Sequence, residues 1–395
     1  MTTRPVWAEI SRPRLLENYR LLRDLAGEAE LLAIIKANGY GHGVLGCAEA
    51  IAAENSDAWL GVTGVEEGAA VRAVAPEAHI VVMGSVWRDE AEAAIERRLT
   101  PVVWEPSQIE ALQSAASARR LAPGSIPVHI EIDTGMSRQG VRPECLPALL
   151  ARLSAAPALR VAGAMTHLHS PEMLDDRADC DQLGAFVTVL DTIFAHGFGL
   201  EWIHCGNSAT VLTDGGAASL VSIAAKYKTK AMLRPGLALY GYAPRFSGAE
   251  PGKHEPLAAP HALQPILSWK TRVISLRTIQ PGETAGYNAA FRAARPTHIA
   301  LLPVGYADGL NRLLSNRGSV LVRGQRASIA GRISMDLTTV DVTDIPGVEI
   351  GDEVTLIGED GRERITAYDH ADLADTIPYE ILCSIAARVP RVMKD

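Results

Sequence analysis

Cysteine is sparse and scattered in this sequence. Five cysteines occur in 395 residues, Cys47, Cys145, Cys180, Cys205 and Cys383. The number is odd and no CxxC pair occurs, which excludes a disulfide framework and a zinc knuckle, leaves no metal expected and fits a reducing cytoplasm. Positive charge is also short: the net charge is −8, which argues against a general nucleic-acid binder and favours solubility. No apolar run is long enough to span a bilayer, and MTTRPVWAEI does not read as a signal peptide, so no membrane partner is expected. Internal repeats and low-complexity tracts are absent as well. What is present is a globular composition, 47% hydrophobic and 21% charged, with enough length for two domains or one large barrel plus an appendage.

Short apolar runs alternate with Ala- and Glu-rich amphipathic stretches up to about residue 240. The runs are LLAIIKA (31–37), AWLGV (58–62), HIVVM (79–83), PVVW (101–104), VHIEID (128–133), VAGAMTH (161–167), WIHC (202–205) and MLRPG (232–236). Helical stretches separate most of them, such as SQIEALQSAASARRL (107–121) with Ser107 as its cap. Eight strand–helix units point to an α/β protein with a (β/α)8 TIM-type barrel over residues 11–243. The competing architecture is an open doubly wound sheet, but the first βα turn, KANGYGHG, lacks GxGxxG.

A Gly/Pro-rich stretch without periodicity (246–262) reads as a linker or long loop. After it, SWKTRVISLRTI (268–279), HIALLPV (298–304), SVLVRGQRASIAG (319–331), ISMDLTTVDV (333–342) and EVTLIG (353–358) read as strands, and helical patterning is scarce. VWAEI (6–10) is strand-like too. Residues 1–10 and 244–395 are therefore expected to form a mostly β domain.

Lys36 ends the first apolar run. A cation there either snorkels at a strand end or has a task. The C-terminal rim of a barrel is where active sites lie, and desolvation there lowers a lysine pKa and frees its amine as a nucleophile toward a carbonyl. That chemistry is a Schiff base with a substrate or with pyridoxal phosphate. Phosphate sites in this fold follow strands seven and eight. After strand seven, CGNSAT places Asn207 and Ser208 to cap a short helix. After strand eight, RPGLALYGY supplies a Pro–Gly turn that an anion can approach.

The series IIKANGYGHG, IDTGMSRQG, MTHLHS, HCGNSA, RPGLALYG, LPVGYADG, GRISMD and TIPYEI resembles, in order, the motifs of alanine racemases. These are pyridoxal-phosphate enzymes with a barrel and a C-terminal β domain. The resemblance runs from about residue 5 to the C-terminus. It implies that Lys36 carries the cofactor and acts as one acid/base, and that Tyr287, lent by the partner subunit of a homodimer with shared active sites, acts from the opposite face. It implies help for that phenol from His167 and His204. Arg234 would face the pyridine nitrogen, tempering the electron sink and limiting side reactions such as transamination. Tyr40, Asn207, Ser208, Gly236, Leu237 and Tyr379 would contact the phosphate, although a tyrosine is more often packing than ligand. Arg138 would approach the cofactor phenolate and the substrate carboxylate, and the Met335 N–H would donate to that carboxylate. Tyr306 would narrow the channel, with Asp336, Arg312 and Arg332 lining its mouth.

The chain departs from the family pattern in places. Glu131 stands where many members carry a lysine that carbon dioxide converts to a carbamate. A glutamate there is expected to pair directly with Arg138. Ser334, Gly286, Asn288 and Pro378 also replace usual residues, which loosens the expectation of strict alanine preference. Two other functions compete. A basic amino-acid decarboxylase shares the barrel-plus-β plan but keeps an acidic partner at the pyridine nitrogen. A non-catalytic pyridoxal-phosphate carrier resembles the barrel alone.

Overall fold

The computed structural model describes residues 4–173, 178–213, 216–246 and 263–395. Most of the expected linker, residues 247–262, lies outside the described residues. The chain divides into two compact units. One contains Leu15–Gly39 and Val44–Gln264. The other contains Met1–Arg14, Tyr40–Gly43 and Pro265–Asp395.

The strands, in chain order, begin with β1 (Val6–Ser11), which belongs to the second unit. Then come β2 (Glu30–Ile34), β3 (Trp59–Val62), β4 (His79–Val82), β5 (Thr100–Val103), β6 (Ile126–Ile132), β7 (Leu159–Thr166), β8 (Trp202–His204) and β9 (Lys230–Leu233). Strands β2 to β9 form a closed parallel barrel, sealed where Glu30 and Leu31 of β2 pair with Met232 and Leu233 of β9. The strands are short, apolar and almost wholly buried, as strands covered on both faces must be. The seal is reinforced beyond the strand ends. The Ile34 N–H donates to the Pro235 carbonyl at 3.0 Å, and the buried Tyr240 hydroxyl donates to the Ile34 carbonyl at 3.1 Å.

All eight expected runs supply barrel strands, but two stop earlier than the apolar pattern suggests. β2 ends at Ile34, so Lys36 stands beyond the strand, and β9 ends at Leu233, just before Arg234. The reason at β2 is backbone hand. Ala37, Asn38, Gly39 and Tyr40 all take positive φ, between 51° and 63°, a left-handed turn that no strand can continue into. The expected cap of the 107–121 helix is also displaced. The helix runs Pro106–Ala118, and the Gln108 side chain accepts from the N–H groups of Trp104 and Glu105. Ser107 lies inside the first turn.

The second unit is built on a ten-stranded sheet. Its further strands are β10 (Leu267–Arg272), β11 (Ser275–Ile279), the small hairpin β12 (Thr284–Ala285) and β13 (Phe291–Arg292), β14 (Thr297–Leu302), β15 (Ser319–Val322), β16 (Gln325–Ile329), β17 (Thr338–Asp341), β18 (Glu353–Asp360), β19 (Glu363–Ile365) and β20 (Arg391–Lys394). The order is β11-β14-β17-β16-β15-β18-β10-β1-β20, with β19 on β18 and the β12–β13 hairpin separate. β1 pairs antiparallel with β10 and parallel with β20, which ties both ends of the described chain into one sheet.

Two expectations change here. Only Thr338–Asp341 of ISMDLTTVDV is strand, because Ser334 N–H bonds back to the Leu337 carbonyl and turns the chain first. Helices are also less scarce than expected. Ala367–Ala374 and Pro378–Ser384 are helical. The first starts with a reciprocal cap between Thr366 and Asp369, and the second has proline in its first turn.

Gly41 shows how tightly this unit closes around residues 40–43. Its φ is +83°, and a Cβ there would lie 2.1 Å from the Leu382 carbonyl oxygen. The neighbouring contact cannot yield, since it is backbone. Gly41→Ala should therefore lower stability by about 2 kcal/mol or more, read as a fall in the urea midpoint with an unchanged slope.

Candidate active site

The barrel mouth is assembled from strand ends. Lys36 follows β2, Arg138 and Gln139 lie on the loop after β6, His167 follows β7, Asn207 and Ser208 follow β8, and Arg234, Gly236 and Leu237 follow β9. Lys36 is half-buried, and Arg234 is buried with 4% of its surface exposed. One Arg234 nitrogen donates to the Thr166 carbonyl at 2.8 Å and approaches His167 Nδ1 at 3.3 Å, and the other approaches His204 Nδ1 at 3.4 Å. Burial lowers the arginine pKa from its ordinary value, but a guanidinium does not lose its proton at neutral pH.

His167 stays neutral for the converse reason. Burial, then the cations Arg234, Arg138 and Lys36, push its pKa down to about 3. All three cations therefore act on this one imidazole, Arg234 from within 3.3 Å. His204 is expected to assist the catalytic phenol, but the structure sets it deeper. It is fully buried, its Nδ1 faces Arg234, and its Nε2 lies 2.9 Å from Nδ1 of His129. Its direct partners are thus a guanidinium and a second histidine, which pattern reading of VHIEID did not single out.

The phosphate candidates form a compact cluster. Asn207 caps the short helix Ser208–Leu212, its side chain accepting from the Ala209 N–H at 2.8 Å. The Ser208 hydroxyl accepts from the N–H groups of Gly236 and Ala238 at 3.0 and 3.1 Å. This joins the turns after β8 and β9 into one polar cup of backbone donors and a hydroxyl. With its oxygen taken by these two N–H groups, the Ser208 hydroxyl has its hydrogen to donate, which suits an anion. Cys205 beside it is no nucleophile: burial pushes its thiol up to about 11.

Glu131 departs from expectation. It is buried at 2% exposure, so it is not a surface residue, yet no ion pair joins it to Arg138. Its carboxylate instead accepts from Gln139 Nε2 at 2.5 Å, while Gln139 also donates to the Met83 carbonyl. A glutamate side chain is short, and the loop turns Gln139 rather than Arg138 toward it. Burial raises the Glu131 pKa, opposed by Gln139 and by the fields of Arg234 and Arg138. Arg138 therefore acts on it at a distance.

The remaining candidates belong to the second unit and share a set of converging loops. Tyr287 sits in the β12–β13 connection, with Asn288 and Ala289 after it at positive φ. Tyr306 opens a turn whose N–H donates to the Ser334 carbonyl, and Ala307 N–H donates to the Met335 carbonyl. Asn316 bonds to Ala290 and Gly331, and Ser315 to Ile333. These bonds bring the loops bearing Tyr287, Tyr306, Arg312, Arg332, Met335 and Asp336 together. Asp336 pairs with Arg388 at 2.7 Å, and Arg388 and Arg4 pair with the buried Asp308 beneath. Tyr287 is 68% exposed and Met335 54%. Tyr40 and Tyr379 meet in the same unit with ring centroids 6.0 Å apart.

Family models match both parts of the chain: alanine racemase N-terminal domain over residues 10–244 and C-terminal domain over residues 266–393. The chain belongs to the alanine racemase family. It is 36% identical to the alanine racemase of Halothermothrix orenii over 394 residues, covering 100% of this chain and 98% of that one. It is 37% identical to that of Sorangium cellulosum, covering 99% and 100%. Among solved structures it resembles the alanine racemase of Streptomyces lavendulae (31% identity, TM-score 0.87, 100% and 98% covered). It also resembles that of Bartonella henselae, solved with covalently bound pyridoxal phosphate (28%, 0.82, 99% and 99%).

Two pH responses follow. His129 and His167 are both pushed down to about 3, below the unfolded value near 6.5. The unfolded chain then takes up protons first, so stability is present above pH ~6.5 and is lost as pH falls toward ~3. Chemical denaturation across that range should show the slope, and His167→Asn should flatten it. For Glu131 the sign is opposite, because an acid with a raised folded pKa costs stability as pH rises past its unfolded value. Glu131→Gln should raise Tm at pH 7 relative to wild type, with the gain vanishing below pH ~4.

Proposed function

We propose that this chain interconverts L-alanine and D-alanine as a pyridoxal-phosphate-dependent homodimer. The reading is carried by Arg234, a buried guanidinium beside the lysine rim where a decarboxylase would keep a carboxylate. The family match over both units speaks against a carrier built from the barrel alone.

The residues present fit the cofactor. Lys36 offers an amine for its aldehyde. The Ser208 hydroxyl and the Leu237 N–H would suit its phosphate, joined by the Gly236 N–H if it leaves the Ser208 oxygen, Asn207 holds that turn, and Arg234 would face its ring nitrogen without giving up a proton. Tyr40 and Tyr379 are assigned to the phosphate by resemblance. When bound, pyridoxal phosphate draws electrons from the substrate Cα–H bond and makes that proton acidic.

Lys36 then removes or delivers the Cα proton on one face. Each chain lends Tyr287 to the other chain's barrel to do the same on the opposite face, and two opposed bases invert the centre without either having to swing. A phenol titrates near 10, so as a base it needs cations around it. Arg138 and Arg234 supply that field, and His167, neutral, orients without competing for the proton. Arg138 and the Met335 N–H bind the substrate carboxylate. Tyr306 narrows the channel, and Asp336, Arg312 and Arg332 set the charge at its mouth. The exposed tyrosines and Met335 on one loop cluster support a surface covered in an assembly. Five cysteines with no disulfide among the described residues suit a cytoplasmic setting, and D-alanine for cell-wall synthesis is the role the resemblance implies.

The test begins with an absorbance band near ~420 nm, borohydride reduction and peptide mapping. The reduced cofactor should map to Lys36, and its attachment to another lysine would overturn the reading. L-alanine should yield D-alanine, and Lys36→Ala should abolish the conversion. Tyr287→Phe should slow racemisation by about 10²–10⁴-fold. In deuterium oxide that variant should still exchange the Cα proton of D-alanine while L-alanine keeps its own.

A further inference from the structure

His129 sits where no barrel strand would ordinarily put a polar ring. It lies in the middle of β6, is 1% exposed, and packs against Trp59, which in turn meets Trp202 at 5.0 Å. Two local features make room for it. The β6–β7 register shifts at this point, from Val128 opposite Val161 to His129 opposite Gly163. Such an irregularity re-aims a side chain. Gly163 supplies the space, because a Cβ there would lie 2.9 Å from the imidazole. The fold thus accommodates a histidine at a position that a valine would fill with less cost.

The hydrogen bonds leave one arrangement of protons. Arg234 has only donors, so His204 Nδ1, 3.4 Å from it, must accept. Neutral His204 then carries its proton on Nε2 and donates it to His129 Nδ1 at 2.9 Å. His129 in turn carries its proton on Nε2, which is buried and has no partner among the described residues. The reverse arrangement would point a His204 N–H at a guanidinium N–H. Both rings are held neutral by burial, His129 at about 3.

We propose that His129 is a positioning residue: by accepting from His204 Nε2 it locks the tautomer whose Nδ1 receives Arg234, and so fixes the guanidinium at the barrel mouth. The orphaned Nε2–H is the cost of that lock. An unpaired buried donor is tolerated where it serves an arrangement that no apolar residue could supply. This inference rests on the proposed role of Arg234 toward the cofactor ring, but its first half concerns protons on two imidazoles and can be read without the cofactor.

The experiment is nitrogen-15 NMR of histidine-labelled protein, taken with and without pyridoxal phosphate, beside kinetics of L-alanine racemisation. In the wild type both His129 and His204 should show protonated Nε2 and bare Nδ1. His129→Leu removes the acceptor and leaves the His204 Nε2–H unpaired, so the proton should move to Nδ1 and push away the guanidinium it then faces. The cofactor absorbance band should shift, and kcat should fall by about 10- to 100-fold with KM little changed. His129→Asn keeps an acceptor near the Nδ1 position and should restore the His204 tautomer and most of kcat. Gly163→Ala, which crowds the ring from the facing strand, should reproduce the leucine effect in milder form. A His204 proton on Nδ1 in the wild type overturns the proposal whether or not the variants fold. So does a leucine variant in which tautomer and kcat do not change together, or an asparagine variant that restores neither. If the wild type neither racemises alanine nor holds the cofactor at Lys36, the functional reading fails instead, and the tautomer result stands by itself.

Discussion

The Arg234 guanidinium is enclosed by the barrel, and no carboxylate lies within ion-pair distance of it among the described residues. Its donors are met by a carbonyl and two imidazole nitrogens, all neutral. Hydrogen bonds to neutral acceptors satisfy the geometry of a buried cation without cancelling its charge. The uncancelled field is what shapes the mouth: it depresses the histidine beside it, holds a buried carboxylate within range, and makes the rim attractive to an anion. A direct Arg–carboxylate pair at the same place would have given a quieter and less useful site.

The second unit solves a different problem. Its sheet is ordinary, and its chemistry lies on loops held to one another by backbone bonds and by the buried Asp308 with its two arginines. The side chains those loops display are the ones a soluble monomer would avoid displaying. Loops carry function where a rigid scaffold presents them, and here the scaffold includes both β1 and β20, near the two ends of the described chain.

The barrel was legible in the sequence because each strand is a short apolar run bounded by turn residues, and Lys36 and Ser208 were placed at the rim by the ends of those runs, whereas Arg234 was singled out through the resemblance. The left-handed hand of residues 37–40 was not, since asparagine and glycine signal a turn but not its handedness, and alanine and tyrosine argue against it. His129 was missed because VHIEID reads as a strand in which any one polar residue passes for the outward face. The register shift that turns it inward has no local sequence signal beyond Gly163. The Glu131 partner was misjudged by one residue: charge suggested Arg138, whereas the loop presents Gln139. The helix at 367 could have been found, since Thr366 and Asp369 stand at the spacing of a reciprocal cap.

The turn after Lys36 has one more implication. The left-handed conformation costs Ala37 and Tyr40 about 1–2 kcal/mol each and asparagine less, and it is held by the Val44 N–H donating to Asn38 and the Asn38 N–H donating to Glu67. Free energy stored there is available to any substitution that relaxes the segment. Selection for heat resistance alone would therefore drift toward straightening these residues, and the hardier proteins it yielded would carry a misdirected amine.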